Sequence, residues 1–205
     1  MRLCRLRFSR NPDYELFLTG ILPRFNSAGD RFVMTGRPAP DTVFGAALLV
    51  GRSGSNAADI LYQDKTRNVM APSWTPAGDR ILFGIGTYNL FFNGFNGTVF
   101  NSADRVEGGA QLAIINADGS GYRELTQGPS NNAFPTMAPD GKRIAYRTFG
   151  PDGEGLRIMD LESGRVTTLL DGYDNFPTWS PRGDLIAFSR VVDDDYEIFT
   201  IKPDG

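Results

Sequence analysis

The chain of 205 residues contains no histidine and one cysteine. Without histidine, its own residues cannot form a Ser–His–Asp triad or a His-ligated zinc or iron site. The single Cys4 cannot make an internal disulfide. The kind of metal site that these residues could still form is one with oxygen ligands. We therefore predict no catalytic residue, no metal site and no cofactor within this chain, and the sequence favours a non-catalytic function over an enzymatic one.

Long apolar runs and concentrated positive charge are also missing. No apolar run approaches the ~20 residues that a membrane span requires, so we expect no membrane insertion. The net charge is −3 with interleaved signs, which argues against nucleic acid as a partner. The first ten residues carry four arginines but no apolar segment behind them, so they do not form a secretory signal.

A short motif occurs four times in the chain. Each copy contains a proline, an aromatic residue or methionine two positions later, and then a turn that ends in glycine. The copies begin at Pro23, Pro72, Pro135 and Pro177, which lie 49, 63 and 42 residues apart. Proline restricts φ and glycine accepts the positive φ of a tight reversal. A repeat of this length indicates one structural unit that stacks on its neighbours.

Strand-like runs follow each of these turns, and helical periodicity is absent. The runs are rich in Ile, Phe, Val and Tyr, and Asn/Asp-Gly turns connect further short strands in the second half of each unit. Four-stranded units repeated radially are blades of a β-propeller. The sequence therefore predicts an all-β fold, a β-propeller of four-stranded antiparallel blades in which the Pro-x-aromatic strand is the innermost strand of each blade.

The motif resembles a known family. Residues 176–183 followed by 186–189 match the first half of a blade, and residues 113–118 with Leu125 and Thr126 match the second half. These patterns are similar to the WD-repeat-like blades of TolB-type propellers, over roughly residues 20–205. The resemblance implies a TolB-like β-propeller in a periplasmic or secreted setting. Because the chain itself shows no secretory signal, we expect that its natural N-terminus is missing.

Four blades are recognisable, at about residues 21–66, 67–127, 128–171 and 172–205. The fourth is incomplete, so we expect a fragment or an open arc of a larger propeller. Residues 1–20 form a separate N-terminal segment, and residues 14–19 are a possible closing strand for a four-bladed ring. Of the two arrangements, the open arc is favoured, because blades of a larger ring subtend too small an angle for four of them to close.

Three groups of residues suggest chemistry but have a simpler interpretation. Residues 116–121 resemble the start of a calcium loop, yet Gln127 stands where the bidentate Glu is needed, so we predict a turn. Residues 193–195 with Glu197 could be a carboxylate cluster, and we predict a solvated hairpin turn. The residues at the equivalent position in each blade are predicted to form the core between blades: Phe25, Trp74, Met137 and Trp179.

The stretch at residues 87–109 departs from the repeat. It holds aromatic residues and two Asn-Gly turns, so it is either an extra hairpin that packs on its own blade or a recognition loop. In this type of fold it shares a face with polar residues at the starts of the blades. We predict that the partner-binding residues are Tyr88, Phe91, Phe92, Phe95, Asn68, Asn131, Asn132, Asp174 and Asn175.

The function predicted from these patterns is binding of a protein or peptide through loops on one face and at the channel mouth. One alternative is the propeller domain of a larger prolyl-oligopeptidase-like serine peptidase, with its catalytic domain in other sequence. A second alternative is a sugar-acid lyase or glycosidase propeller, which needs histidine or convergent carboxylates at the channel. A Gly-x-Ser-x-Gly domain in the same gene would favour the peptidase.

Overall fold

The computed structural model describes residues 21–36, 46–55, 57–86, 109–193 and 195–205. These described residues form strands and no helix. Sheet 1 contains β1 (Ile21–Phe25), β2 (Arg31–Gly36), β3 (Ala47–Arg52) and β4 (Ala58–Tyr62). Sheet 2 contains β5 (Asn68–Trp74), β6 (Arg80–Gly86), β7 (Gln111–Asn116) and β8 (Arg123–Glu124).

Two further sheets repeat this plan. Sheet 3 contains β9 (Asn131–Met137), β10 (Arg143–Gly150), β11 (Gly153–Asp160) and β12 (Val166–Asp171). Sheet 4 contains β13 (Asp174–Trp179), β14 (Ile186–Val192) and β15 (Asp195–Ile201). Sheet 4 thus has three strands within the described part of the chain, as expected for an incomplete blade. The possible closing strand at residues 14–19 lies outside the described residues.

Each sheet is an antiparallel meander in which consecutive strands pair. The first strands of the sheets contact one another, β1 with β5, β5 with β9, and β9 with β13. The strand that carries the Pro-x-aromatic motif is therefore innermost, as the motif predicted. The all-β fold and the β-propeller architecture are confirmed, with four sheets as its four blades.

The core lies between successive sheets. Val33, Leu48 and Val50 of sheet 1 pack on Phe83 and other apolar residues of sheet 2. Leu82 and Ile114 continue the core into sheet 3, and Ala145 and Ile158 continue it into sheet 4. Alternate residues of each strand face the neighbouring sheet, so one blade cannot bury its apolar faces alone. This packing explains why the sequence repeats.

The aromatic or methionine position of the repeat, two residues after the motif proline, is only partly in this core. Trp74, Met137 and Trp179 are buried between sheets, as predicted. Phe25 was predicted to be equivalent, but this is wrong, because its side chain is 60% exposed. Phe25 lies in sheet 1, and within the described residues no sheet precedes sheet 1 to cover it.

A contact between an arginine of one sheet and the tryptophan of the next recurs at the end of the sheets where the first strand turns into the second. The Trp74 indole N–H donates to the carbonyl of Arg24 at 3.0 Å, and the Arg31 guanidinium lies 5.2 Å from the Trp74 ring centroid. Arg143 lies 4.9 Å from the Trp179 ring in the same way. These cation–π contacts join a sheet to the next one along the chain.

The turns at this end carry a hydrogen bond from the first turn residue to an aspartate four positions later. The Asn26 amide donates to Asp30 at 2.7 Å, the Thr75 hydroxyl to Asp79 at 2.6 Å, and the Ser180 hydroxyl to Asp184 at 2.7 Å. These bonds lower the pKa values of Asp79 and Asp184. The turn of sheet 3 has Ala138 instead and pairs Asp140 with Arg143 at 2.9 Å.

Candidate partner-binding face

The meander gives each sheet two ends with different connections. We name the end with the first-to-second and third-to-fourth strand connections the turn face. The end with the second-to-third connections and the links between sheets is the loop face. Five predicted binding residues lie at loop-face ends of first strands: Asn68 in β5, Asn131 and Asn132 in β9, Asp174 and Asn175 in β13. Tyr88, Phe91, Phe92 and Phe95 lie outside the described residues, so their role stays a prediction.

Two of these asparagines join neighbouring sheets. The amide oxygen of Asn68 accepts from the backbone N–H of Ala46 at 3.0 Å, and Val69 N–H donates back to the Ala46 carbonyl at 3.2 Å. Asn131 accepts from the N–H of Ala110 at 3.0 Å, and Asn132 N–H donates to the Ala110 carbonyl at 2.7 Å. Asn68 is fully buried. The geometry assigns both amides to the contact between blades, and a direct contact with a partner stays a prediction.

A buried polar network supports the link between sheets 2 and 3. The Gln111 amide donates to the Gly128 carbonyl at 2.9 Å and accepts from the Thr126 hydroxyl at 2.8 Å. The Ser130 hydroxyl donates to the Asp152 carboxylate at 2.7 Å. Buried polar groups that are satisfied in this way hold a loop in one conformation. These hydrogen bonds to sheets 2 and 3 therefore hold the connection at residues 125–130 in one conformation.

Asp174 forms the most buried charged contact of this face. Its carboxylate has no exposed surface and accepts two hydrogen bonds from Arg190, at 2.7 and 2.9 Å. These bonds raise the pKa of Arg190. The guanidinium also lies 5.4 Å from the Phe188 ring and 5.5 Å from the Phe199 ring. The pair fixes the start of β13, while Asn175 is buried beside it.

Aromatic side chains gather between sheets 3 and 4 on the same face. Phe134 and Phe176 have ring centroids 4.5 Å apart. The Arg147 guanidinium lies 4.7 Å from the Tyr173 ring and 5.3 Å from the Phe149 ring. We call Phe134, Arg147, Phe149, Tyr173 and Phe176 the aromatic cluster.

The cluster is half open to solvent. Tyr173 is 48% exposed and Phe176 is 45% exposed, whereas Arg147 is buried and pairs with Glu154 at 3.1 Å. Aromatic residues and arginine are the commonest anchors of protein interfaces. The sequence reasoning did not select these residues. The available signal was the aromatic residue before proline in the third and fourth copies of the motif, at Phe134 and Phe176.

The backbone explains how Phe176 comes to the surface of an inner strand. The residue before the motif proline has positive φ in every sheet, at Leu22, Ala71, Phe134 and Phe176, with values of 50° to 54°. The pairing with the second strand shifts at the same place in each sheet. A β-bulge of this kind re-aims a side chain, and at Phe176 the re-aimed side chain is 45% exposed.

The residues considered for chemistry lie in turns or on the edge of a strand. Residues 116–121 connect β7 to β8, with the Ser120 N–H and hydroxyl donating to Asp118 at 2.9 and 2.7 Å. Asp193 follows β14 in the hairpin to β15, as predicted, whereas Asp195 and Glu197 lie within the exposed strand β15 rather than in the turn. The described residues contain no group of three or more His, Cys, Asp or Glu side chains placed to hold a metal ion. Nor do they form a helix long and apolar enough to cross a bilayer.

Comparison with known proteins starts with curated sequences. No family model matches the chain. A TolB homolog from Chlorobium luteolum is 31% identical over 89 residues, 43% of this chain and 20% of that protein. Dipeptidyl-peptidase 5 from Porphyromonas endodontalis is 26% identical over 157 residues, 75% of this chain and 21% of that protein. The chain thus spans about a fifth of the length of these relatives.

Solved structures give the same fold. TolB from Acinetobacter baumannii superposes with a TM-score of 0.66 at 16% identity, over 90% of this chain and 41% of that one. The putative TolB from Agrobacterium tumefaciens gives 0.70 at 16% identity, over 93% and 64%. A puromycin-hydrolysing peptidase from Mycobacterium tuberculosis gives 0.62 at 12% identity, over 89% and 27%. At such identities the likeness concerns the fold alone.

The stacked four-stranded meanders define a β-propeller. The similarity to curated TolB homologs and to solved TolB structures supports a TolB-like β-propeller fold.

Proposed function

We propose that the chain is a non-catalytic binding module that contacts a protein or peptide partner through its loop face. Two exposed aromatic residues carry this proposal: Tyr173, whose ring lies against the Arg147 guanidinium, and Phe176, whose ring packs on Phe134. Rigid aromatic side chains contribute buried area at low entropic cost. The cluster lies at the same ends of the strands as the asparagines selected from the sequence. The resemblance to TolB-type propellers supports a periplasmic or secreted setting for this activity.

The frame of the loop face supports a preformed site. Asp174 with Arg190, and Gln111 with Thr126, tie the loop connections to the sheets through buried hydrogen bonds. A site whose supporting groups are already satisfied loses little freedom on binding. Tyr173 and Phe176 are therefore positioned to act as anchors, surrounded by contacts of smaller energetic effect.

A selection from a random peptide library tests this proposal. The chain is immobilised, and binders are compared on the wild type, on Tyr173→Ala with Phe176→Ala, and on Phe25→Ala. Phe25 is the matched control, an exposed aromatic residue at the turn face. We expect the double variant to lose at least ~2 kcal/mol of binding free energy, as for interface anchors. Equal binding to all three proteins would place the partner site elsewhere.

The propeller domain of a larger serine peptidase is the second candidate. It is favoured by the alignment with dipeptidyl-peptidase 5, which covers 75% of this chain. The chain has no histidine, so a Ser–His–Asp triad would need residues from other sequence. The complete gene decides between the two candidates: an α/β-hydrolase domain with a Gly-x-Ser-x-Gly motif in the same reading frame supports the peptidase.

A further inference from the structure

The exposed charges on the loop face of sheets 3 and 4 have one sign. Among the described residues there, the exposed ionisable groups with a charge at neutral pH are all acidic: Asp152, Asp171, Asp193, Asp195 and Glu197. Three arginines are present, but each is buried or half-buried and each pairs with a carboxylate. Arg147 pairs with Glu154, Arg157 with Asp171 and Arg190 with Asp174. With Glu154 and Asp174, the described part of this face carries seven acidic residues and three arginines, and each arginine is already paired.

The turn face of the same two sheets is different. It exposes the cations Lys142, Arg165, Arg182 and Lys202 among its carboxylates. Its aspartates are engaged locally, as in the bond from Ser180 to Asp184. The separation of charge therefore distinguishes the two ends of sheets 3 and 4, and the excess of negative charge lies on the same face as the aromatic cluster.

We infer that the partner segment that docks on the aromatic cluster is basic. This inference rests on the proposed function and adds the chemistry of the partner to it. A lysine or arginine of the partner meets the acidic rim, and complementary potentials accelerate encounter and exclude acidic competitors. The exposed faces of Tyr173 and Phe176 also attract a cation through their π systems. An acidic segment would meet like charge on the whole rim.

The peptide selection separates this inference from the proposed function. Binders that need Tyr173 and Phe176 and are enriched in Lys and Arg support both. Binders that need the two aromatics but are neutral or acidic overturn the basic partner and leave the binding face intact. Binders that ignore the two aromatics, or the absence of any binder, overturn the proposed function and the inference with it.

Neutral variants provide the direct test on a selected basic peptide. Asp193→Asn, Asp195→Asn and Glu197→Gln are combined, and Glu162→Gln with Asp204→Asn serves as the control on the turn face. The loop-face variant should bind roughly fivefold to tenfold more weakly, the size that a few exposed ion pairs produce. Binding should also weaken as salt is raised to about 1 M, where the Debye length is about 3 Å. Equal losses in both variants, or no salt dependence, would overturn the inference.

Discussion

The turn face and the loop face are built on the same strands, yet most contacts of the turn face recur from blade to blade, whereas the loop face combines recurring contacts with a group of side chains found between one pair of blades. At the turn face, the hydrogen bonds of Asn26, Thr75 and Ser180 to their aspartates are close copies. The arginine–tryptophan contacts at Trp74 and Trp179 are copies as well. At the loop face, the two amide contacts at Asn68 and Asn131 recur, and the aromatic cluster belongs to sheets 3 and 4 alone.

This difference separates stability from recognition. A contact that recurs in several blades serves a need that every blade shares, which is packing against its neighbour. A group of side chains found between one pair of blades has no such general task. We therefore expect substitutions at the turn face to change stability and substitutions in the aromatic cluster to change binding.

The largest effect on stability is expected for Trp74→Ala. The side chain is buried between sheets 1 and 2, and its N–H donates to Arg24. Removing a buried tryptophan typically costs about 3–5 kcal/mol. Denaturant unfolding measures the loss. Phe25→Ala, in an exposed position of sheet 1, should stay within about 0.5 kcal/mol of the wild type. Similar losses in both variants would contradict the assignment of Trp74 to the inter-sheet core.

The aromatic residues of the 87–109 stretch test the expectation that loop-face residues contribute to binding rather than to stability. Replacing Phe91, Phe92 and Phe95 by Ala should cost at least ~2 kcal/mol of binding free energy if the stretch is a recognition loop. Circular dichroism of the same variant should remain that of the wild type. Lost folding would show that these residues pack on their own blade, and unchanged affinity would move the site away from the stretch.

A smaller effect is expected for Thr75→Val. The hydroxyl donates to Asp79 and accepts from the N–H of Arg80 at 3.1 Å, and such bonds contribute about 1 kcal/mol each. Thr178→Val, at an exposed position of β13, is the matched control and should change little. Unfolding free energies of the two variants that differ by less than the experimental error would contradict this role for the turn.

Thr75→Val should also change the pKa of Asp79 and, with it, the pH dependence of stability. The Thr75 hydrogen bond lowers the pKa of Asp79, so the ionised carboxylate stabilises the fold above the ordinary pKa of about 3.9. That stabilisation is lost as pH falls through the lowered pKa of the folded protein. In Thr75→Val the Asp79 pKa should rise toward its ordinary value. NMR titration of the carboxyl group measures it, and an unchanged pKa would assign the shift to other groups.

The smallest effect concerns the bulge that all four sheets share. Ala71 has φ of 50°, a left-handed conformation that costs roughly 1–2 kcal/mol for a residue with Cβ. Glycine at a strand position costs roughly 0.5–1 kcal/mol. Ala71→Gly should therefore be neutral or stabilise by up to about 1.5 kcal/mol. Ala187→Gly, in the regular part of β14, should destabilise, and the opposite order would show that the bulge is not strained.

The sequence allowed the propeller and its strands to be predicted because turns and alternation are local properties. Proline, glycine and the β-branched runs reappear in each copy, so four units were recognisable. The motif also indicated that the strand carrying it is the innermost strand of its blade. The side chains of Asn68 and Asn131 were predicted at the right end of the strands, but their sequence positions could not reveal that they join blades. An asparagine beside a turn has the same local pattern whether its amide meets water or a neighbouring backbone.

The sequence by itself therefore determined the repeat, the strand order within each blade and the absence of histidine chemistry. The tertiary structure alone decided which side chains are exposed. Phe25 and Trp74 occupy the same place in the repeat, yet one is open and the other buried, because burial depends on whether a neighbouring sheet covers the position. The aromatic cluster likewise joins Arg147 to Tyr173, which are distant in the chain and adjacent only after sheets 3 and 4 have packed.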